Sequence, residues 1–332
     1  MTKNFKNKSS RFGCISRWLI YTCFGYSILI CRTASAQLFT TVKTSEGIEI
    51  SENGKKVLFY QQNPKSFQDK YNRAGYVHPL YNLNEKILTE DFPIDHPYHH
   101  GIFWAWHQII FNNKQIADGW IGENISWQTL SVKTWKRKKG ITLQSIVLWK
   151  SALQDHKTRP IVKENTHITV YEATDQYRVI DFDIYLSAMI DSLKIGGSDD
   201  MKGYGGFCMR LNLPADIAFT SADSAVTPIE TAVSAGPWMD IKGSLAGADS
   251  LSKSGVAIFP NPSNPGTKQQ WILRKQTSMQ NVPYPGRIPV NLTKNGLRLR
   301  YRIIVHNADL NYHELDRLYE AYISNPDHDG TR

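Results

Sequence analysis

Cysteine is scarce in this 332-residue sequence, and three of the four cysteines lie within the first 36 residues. Cys208 is the cysteine that remains in the rest of the chain. One cysteine cannot close an intramolecular disulfide, so the fold must be held by packing, which a chain of this length can supply. Cys208 lies in the apolar run Gly-Phe-Cys-Met, which favours a buried, inert thiol over a nucleophile.

Long apolar runs are also missing. Residues 18–31 form an uncharged run of fourteen residues, whereas a membrane-spanning helix needs roughly 20. This run follows a basic segment without acidic residues and precedes Ala34-Ser35-Ala36, a pattern typical of signal peptidase cleavage. We therefore expect a signal peptide over 1–36, cleavage before Gln37, and export to the periplasm or the medium. The remaining residues, 37–332, are expected to form one domain without a membrane span.

Positive charge is not in large excess once that segment is set aside. The whole chain carries 39 basic and 30 acidic residues, or +9, and six of the basic residues lie within residues 1–36. The remainder has 33 against 30, or +3. The basic run at residues 136–139 has no interleaved aromatic side chains, which is typical of a solvated hairpin tip and not of a nucleic-acid surface. We expect no nucleic-acid partner.

Helical periodicity is rare, and apolar and polar residues instead alternate, as in residues 180–186 and 297–306. Turn signals separate such runs, and Asn53-Gly54 and Asn295-Gly296 are strong hairpin signals. One helical pattern, with spacing i, i+3, i+4, i+7, is formed by Leu315, Leu318, Tyr319 and Tyr322. The predicted fold class is all-β, a large antiparallel β-sandwich with a short C-terminal helix.

Histidine, in contrast, is concentrated in one place. Four of the ten histidines fall within twelve residues, namely His96, His99, His100 and His107. Asp95 can orient an imidazole and raise its basicity, so His96 and His99 are candidates for a general acid and base, or for metal ligands. Prolines on both sides of this Asp-His pair keep it out of a helix.

Two tryptophans follow in the same stretch. Trp104 and Trp106 alternate as in a strand, which places both indoles on one face, and aromatic faces of this kind stack on sugar rings. The competing interpretation is a hydrogen-bonded histidine corner above a tryptophan-rich core. Composition alone leaves both interpretations open.

Residues 95–107, DHPYHHGIFWAWH, resemble the signature of the PmoA-like family of secreted bacterial proteins. Four further stretches agree with that family in the same order, at residues 200–210, 237–240, 255–265 and 301–306. The resemblance implies a secreted β-protein from bacteria that consume polysaccharides, with an architecture similar to the galactose-mutarotase supersandwich. The methane oxygenase activity in the family label is the least expected function, because one cysteine and few methionines provide no soft-ligand cluster for copper.

The sequence departs from the family pattern at positions that matter for a metal. Tyr98 stands where many members have His, and His100 stands where many have Arg. Asn261 and Ile272 occupy places where members often carry His. A metal site that used those histidines would lose ligands here. We therefore assign no certain cofactor and leave a divalent metal open.

Further candidates lie on a strand and in a turn. Arg302 and His306 match family positions on the polar face of one strand, and in a supersandwich such a face lines the ligand cleft. Arg210 alternates with apolar neighbours and is expected to reach the same cleft, where planar guanidinium groups suit the carboxylate or sulfate of an acidic sugar. Lys202 and Tyr204 lie in a glycine-rich turn, where Lys202 is either a general base or charge clamp, or an exposed loop lysine.

Hydrolase signatures such as Gly-x-Ser-x-Gly and His-Glu-x-x-His are absent from the sequence. We predict a secreted or periplasmic carbohydrate-active enzyme that acts on a sugar or an oxidised glycoside by histidine-based acid/base chemistry, of lyase, hydrolase or epimerase type. The expected catalytic residues are His96, His99, Asp95, His306 and Lys202. The expected substrate-binding residues are His100, Trp104, Trp106, His107, Tyr204, Arg210, Trp238 and Arg302. The alternative is a non-catalytic glycan-binding β-sandwich protein that uses Trp104, Trp106 and Trp238, although Trp238 equally suits a core position.

Overall fold

The structure, a computed structural model, describes residues 38–153, 155–222, 224–245, 247, 253–307 and 310–324. The expected signal peptide, 1–36, and its cleavage before Gln37 lie outside the described residues. Among the residues that are described, no helix has the length and hydropathy required of a membrane span.

Strands make up most of the described chain. In chain order they are β1 (Phe39–Lys43), β2 (Gly47–Glu52), β3 (Lys55–Gln61), β4 (Lys65–Phe67), β5 (Lys70–Arg73), β6 (Tyr76–Leu80), β7 (Ile102–Trp106), β8 (Gln108–Phe111), β9 (Lys114–Ala117), β10 (Ile125–Arg137), β11 (Gly140–Ala152), β12 (Thr158–Tyr171), β13 (Tyr177–Ala188), β14 (Leu193–Gly196), β15 (Gly205–Met209), β16 (Ala218–Ser221), β17 (Ser224–Ala225), β18 (Val233–Ser234), β19 (Met239–Gly243), β20 (Ser254–Pro260), β21 (Gln270–Trp271), β22 (Gln280–Pro283), β23 (Val290–Leu292) and β24 (Leu297–Asn307). The helix α1 (Tyr312–Ile323) follows them.

Two large antiparallel sheets contain most of these strands. In the described part of the chain, one sheet has seven strands in the order β1-β2-β3-β6-β7-β15-β22, and the other has nine in the order β10-β11-β12-β13-β24-β20-β19-β16-β17. The sheets pack face to face, because Trp104 and Phe182 have ring centroids 6.5 Å apart and Phe207 stacks on Tyr301 at 4.3 Å. The predicted all-β sandwich is confirmed.

The alternating sequence pattern decides which side chains enter the core between the large sheets. On β24, Leu299, Tyr301 and Ile303 belong to this core, whereas Ile304 belongs to a second cluster on the opposite face of the sheet. Successive side chains of a strand point to opposite faces of the sheet, so each outer face of the sandwich has its own group of side chains. The finer likeness to the galactose-mutarotase supersandwich stays a prediction.

The helix α1 covers the outer face of the nine-stranded sheet. It begins after Asn311, whose side chain accepts a hydrogen bond from the Glu314 amide. Its buried residues are Leu315, Leu318, Tyr319 and Tyr322, the four that the sequence placed on one helical face. The predicted C-terminal helix is therefore confirmed, and its apolar face packs on a small core of its own that includes Trp238 and Phe259.

A third cluster lies on the outer face of the seven-stranded sheet. Phe103 and Cys208 point to this side, together with Tyr76 and Trp120. Cys208 is fully buried, as predicted, and burial raises the pKa of its thiol well above the usual value. This outer face supports the histidine-rich segment.

The two strong turn signals have different outcomes. Asn53-Gly54 joins β2 to β3 as a tight hairpin in which Glu52 faces Lys55, and both turn residues have positive φ. Asn295-Gly296 also forms a turn, closed by the Gly296 amide and the Thr293 carbonyl. However, β24 pairs with β13 and β20, whereas β23 pairs with β14. The hairpin predicted there is wrong, because the chain changes sheets at this turn.

Candidate functional site

Residues 91–99 form an irregular loop over the outer face of the seven-stranded sheet. Two successive turns shape it, in which the His96 amide donates to the Pro93 carbonyl and the His99 amide donates to the His96 carbonyl. The prolines exclude a helix, as the sequence predicted. The turns bring the His96 and His99 rings into a parallel stack with centroids 4.6 Å apart.

Asp95 orients His96 and is itself held by hydrogen bonds. Its carboxylate lies 2.8 Å from His96 Nδ1 and accepts hydrogen bonds from Arg210 Nη2 at 2.8 Å, Arg210 Nη1 at 3.0 Å and the Ser278 amide at 3.0 Å. Burial acts to raise the pKa of Asp95, but the hydrogen bonds from His96, Arg210 and Ser278 outweigh it and hold that pKa well below its usual range. An ionised carboxylate only accepts, so His96 Nδ1 carries the proton toward Asp95 and Nε2 is left as the basic nitrogen.

Arg210 supports Asp95 and has little capacity left for a ligand. Besides its bonds to Asp95, it donates from Nε to Glu90 at 2.7 Å and from Nη1 to the Ser278 carbonyl. Its side chain is only 5% exposed. The sequence placed Arg210 in contact with the substrate. The structure corrects this, because the guanidinium is enclosed and most of its five N–H donors are used inside the protein.

His99 lies against His96 and is buried, with 2% exposure. Its Nδ1 has no hydrogen-bond partner among the described residues. Burial, together with the charges of nearby His96 and Arg210, lowers the pKa of His99 to about 2, so the ring is neutral at physiological pH. His99 therefore supports the His96 ring by stacking and places no second charge beside it.

Aromatic side chains surround this pair. Tyr98 lies edge-on to His96 at 5.6 Å and to His99 at 5.0 Å, and Trp120 contacts His99 at 6.0 Å and Tyr204 at 5.4 Å between ring centroids. We refer to the following six residues as the histidine–aromatic cluster: His96, Tyr98, His99, His107, Trp120 and Tyr204. Four of them are partly exposed, so the cluster has a side that faces solvent.

The other two histidines of the segment each pair with an aspartate. His107 stacks on Trp120 at 5.0 Å, and its Nδ1 lies 2.9 Å from Asp118. His100 is buried, and its Nδ1 lies 2.8 Å from Asp91. His100 thus packs beneath the loop and has no surface toward a ligand, which corrects its predicted substrate-binding role, whereas His107 stays at the edge of the cluster.

Lys202 and Tyr204 lie in a turn beside the cluster. Asp200 holds this turn by accepting hydrogen bonds from the amides of Lys202 and Gly203. Gly203 has φ of +67°, and a Cβ at this position would meet backbone at 3.0 Å, so the turn requires glycine. Lys202 Nζ lies 3.9 Å from the exposed carboxylate of Glu230. The turn therefore fixes Tyr204 at the cluster, while Lys202 lies at its periphery.

The three tryptophans predicted as sugar platforms are fully buried. Trp104 and Trp106 do share one face of β7, but that face lines the core, where Trp104 Nε1 donates to Glu164 at 2.9 Å and Trp106 Nε1 donates to the Tyr284 carbonyl at 2.7 Å. Trp238 packs beneath α1. None of the three indole faces is open to a sugar, so their predicted role in stacking is corrected by their burial.

Arg302 and His306 lie on the other side of the sandwich. Both point from β24 toward the outer face of the nine-stranded sheet. Arg302 bonds to Asp181 at 2.6 and 2.8 Å, with the Tyr322 ring 4.5 Å from its guanidinium, and buried His306 lies 2.9 Å from Asp240. The main core separates these residues from the histidine–aromatic cluster. The single cleft predicted from the sequence is therefore corrected to two separate places.

Metal binding was left open by the sequence. In the described ranges, no group of three or more His, Cys, Asp or Glu side chains is arranged to hold a metal ion. His96 and His99, the candidate ligands, have parallel stacked rings, and Asp95 is already hydrogen-bonded to His96 and Arg210. We therefore assign no metal ligands.

A family model matches residues 47–320, which is most of the chain, and describes a family of unknown function, DUF6807. The chain belongs to this family. The matched region includes every loop that contributes to the histidine–aromatic cluster, so the candidate site is part of the DUF6807 domain. A comparison with curated proteins found no match. The resemblance to PmoA-like proteins stays a prediction.

Sequence patterns do not single out Trp120, Arg274 or Ser278, although all three lie at the site. Trp120 lies in one loop and Arg274 and Ser278 lie in another, more distant one, and the fold brings both loops to residues 91–99. The local signal for Trp120 is the Asp118-Gly119 turn before it, which predicts a loop but not its neighbours.

Proposed function

We propose that the protein is an exported carbohydrate-active enzyme in which His96 transfers a proton to or from a sugar or an oxidised glycoside. The reaction is of lyase, hydrolase or epimerase type, and each of these uses a positioned acid/base group. One observation carries the proposal: His96 is hydrogen-bonded through Nδ1 to Asp95 at 2.8 Å, and its side chain is 30% exposed, which leaves Nε2 for a substrate.

The surroundings of His96 support proton transfer. Ionised Asp95 stabilises the imidazolium that forms when Nε2 takes up a proton, and Arg210 keeps Asp95 ionised and in place. Neutral His99 adds no positive charge next to that imidazolium. Tyr98 and Tyr204 are partly exposed and provide both ring faces and hydroxyl groups, which suit the apolar and polar faces of a sugar.

The test begins with a substrate. A library of glycans and oxidised glycosides, incubated with the protein and analysed by mass spectrometry, identifies the compound that changes. His96→Ala is then expected to lower turnover about 100-fold or more, because a general acid or base contributes roughly 10²–10⁴-fold. Asp95→Asn should lower turnover as well, since a neutral amide does not stabilise the imidazolium.

His313→Ala is the matched control, because His313 is an exposed histidine on α1, far from the loop in the fold. Its turnover should equal that of the unaltered protein. Full turnover by His96→Ala contradicts the proposal. A glycan that binds and stays chemically unchanged in an NMR time course would instead support the alternative, a non-catalytic glycan-binding protein.

A further inference from the structure

An acidic sugar requires a cation at the site, and Arg210 does not supply one. Its guanidinium is 5% exposed and donates to Glu90, to both oxygens of Asp95 and to the Ser278 carbonyl. The two carboxylates neutralise it. Another basic residue must therefore face any substrate anion.

Arg274, in contrast to Arg210, is hydrogen-bonded to backbone carbonyls and not to carboxylates. Its guanidinium donates to three backbone carbonyls, those of Ile229 at 3.0 Å, Glu230 at 2.7 Å and Leu273 at 2.8 Å. Carbonyl oxygens orient a guanidinium but do not neutralise its charge. A guanidinium has five N–H donors, so donors remain for a ligand. In the part of the chain that the structure describes, Arg274 takes part in no ion pair, and the acidic side chain of Glu230 lies beside Lys202 instead.

The backbone holds Arg274 firmly. Its amide donates to the side chain of buried Gln280 at 2.9 Å, and its carbonyl accepts from the same side chain at 2.9 Å. These two bonds lie next to β22, in the seven-stranded sheet. Arg274 is therefore preorganised by the sheet that also supports the histidine-rich loop, and little conformational entropy is lost when it binds a ligand.

Arg274 also lies at the histidine–aromatic cluster. Its guanidinium is 5.4 Å from the centre of the Tyr204 ring. Ser278 donates its amide to Asp95 at 3.0 Å. One short segment, residues 274–278, therefore links the unneutralised cation to the Asp95–His96 pair.

From this geometry we infer that Arg274 is the anion-binding residue of the site and selects sugars that carry a carboxylate, such as uronic acids. The inference deepens the proposed function and rests on it for the assumption that the ligand is a sugar. The planar fork of a guanidinium matches the two oxygens of a carboxylate. Arg274 is a specificity-determining residue that acts by binding, separate from proton transfer at His96.

Direct binding tests this inference without turnover. The probes are glucuronate and galacturonate with their methyl glycosides, compared with glucose and galactose, titrated into the full protein and followed by NMR or calorimetry. The unaltered protein should bind the acids at least tenfold more tightly than the neutral sugars. Arg274→Gln should abolish that preference and leave the affinity for neutral sugars unchanged, and Arg274→Lys should keep part of it, since the charge remains but the fork is lost.

Arg287→Gln is the matched control, because Arg287 is exposed and already paired with Asp199 at 2.9 Å in a neighbouring loop. It should keep the full preference for acids. Thermal unfolding of each variant shows whether it is folded.

Three results would overturn the inference. The first is equal or absent binding of acids and neutral sugars by the unaltered protein. The second is an equal loss of both in folded Arg274→Gln. The third is tighter binding of glucose 6-sulfate, added as a sulfated probe, than of glucuronate by the unaltered protein. His96→Ala should keep the preference for acids. If the protein binds acids preferentially but converts no compound, the proposal that it is an enzyme is contradicted, whereas the inference that Arg274 binds an anion is supported.

Discussion

His96 and His99 have parallel rings, yet the protein exposes them to very different surroundings. The side chain of His96 is 30% exposed and bonded to an aspartate, whereas His99 is 2% exposed and its Nδ1 has no partner among the described residues. Because burial disfavours the charged form, His99 remains neutral under conditions in which an exposed histidine takes up a proton. The division of roles between the two rings is therefore set by burial and not by residue type.

Neutral histidines that are buried, such as His99, or partly buried, such as His78, make stability depend on pH. Burial lowers the pKa of His99 to about 2 and that of His78 to about 4. The unfolded chain takes up protons at these histidines near pH 6.5, before the folded protein does. Their contribution to stability is therefore present above about pH 6.5 and is lost as the pH falls below it.

The variant His99→Phe should weaken this dependence, because phenylalanine keeps the ring but does not titrate. Between pH 7.5 and 5.0, the unaltered protein should lose about 2 kcal/mol more unfolding free energy than His99→Phe does. Urea unfolding at the two pH values measures the difference. His313→Ala, an exposed change, should behave like the unaltered protein. The same pH dependence in His99→Phe would contradict the assignment.

The loop at residues 91–99 and the helix α1 show how far local sequence determines an element. Prolines and turn hydrogen bonds shape the loop, and the four predicted apolar residues form the buried face of α1. Both follow from neighbours only a few positions apart, so the sequence predicts them. The turn Asn295-Gly296 is predicted as well, but the sheet that its flanking strands join is not, because pairing is a long-range property.

Docking of α1 predicts a large loss of stability from one core substitution. Leu315 is 1% exposed and packs in the cluster beneath the helix. We expect Leu315→Ala to lower the unfolding free energy by about 2–5 kcal/mol, since it removes buried methyl groups and leaves a cavity. Glu320→Ala, on the exposed face of the same helix, should change it by about 0.5 kcal/mol or less. Chemical denaturation of both variants decides this, and similar losses would show that the face is not buried.

The sandwich has two outer faces, and both have polar and aromatic residues. From the sequence alone, the residues of both faces are assigned to a single cleft. The histidine–aromatic cluster lies over the seven-stranded sheet, and Arg302 and His306 lie over the nine-stranded sheet with α1. The core between the sheets keeps them apart. The family match spans both faces and does not distinguish between them.

This separation predicts that Arg302 affects stability but not the ligand. Arg302→Gln breaks the partly buried pair with Asp181 and should lower the unfolding free energy by about 3–5 kcal/mol. Affinity for uronic acids and turnover should both equal those of the unaltered protein under conditions in which the variant is folded. Arg302→Lys should restore part of the stability. A selective loss of binding in folded Arg302→Gln would mean that Arg302 is part of the site.

The sequence alone determined four features, because each depends on composition or on residues close together in the chain. They are the low cysteine count, the alternation of polar and apolar residues in the strands, the apolar face of α1, and the adjacency of Asp95 and His96. Three further features were decided by the tertiary structure: the core position of Trp104, the use of Arg210 as a support for Asp95, and the arrival of Arg274 at Tyr204. The physical reason is that a strand pattern with period two tells which residues share a face but not which face meets the other sheet. The packing of the two sheets determines which face of each strand is buried, and it therefore also determines where the site lies.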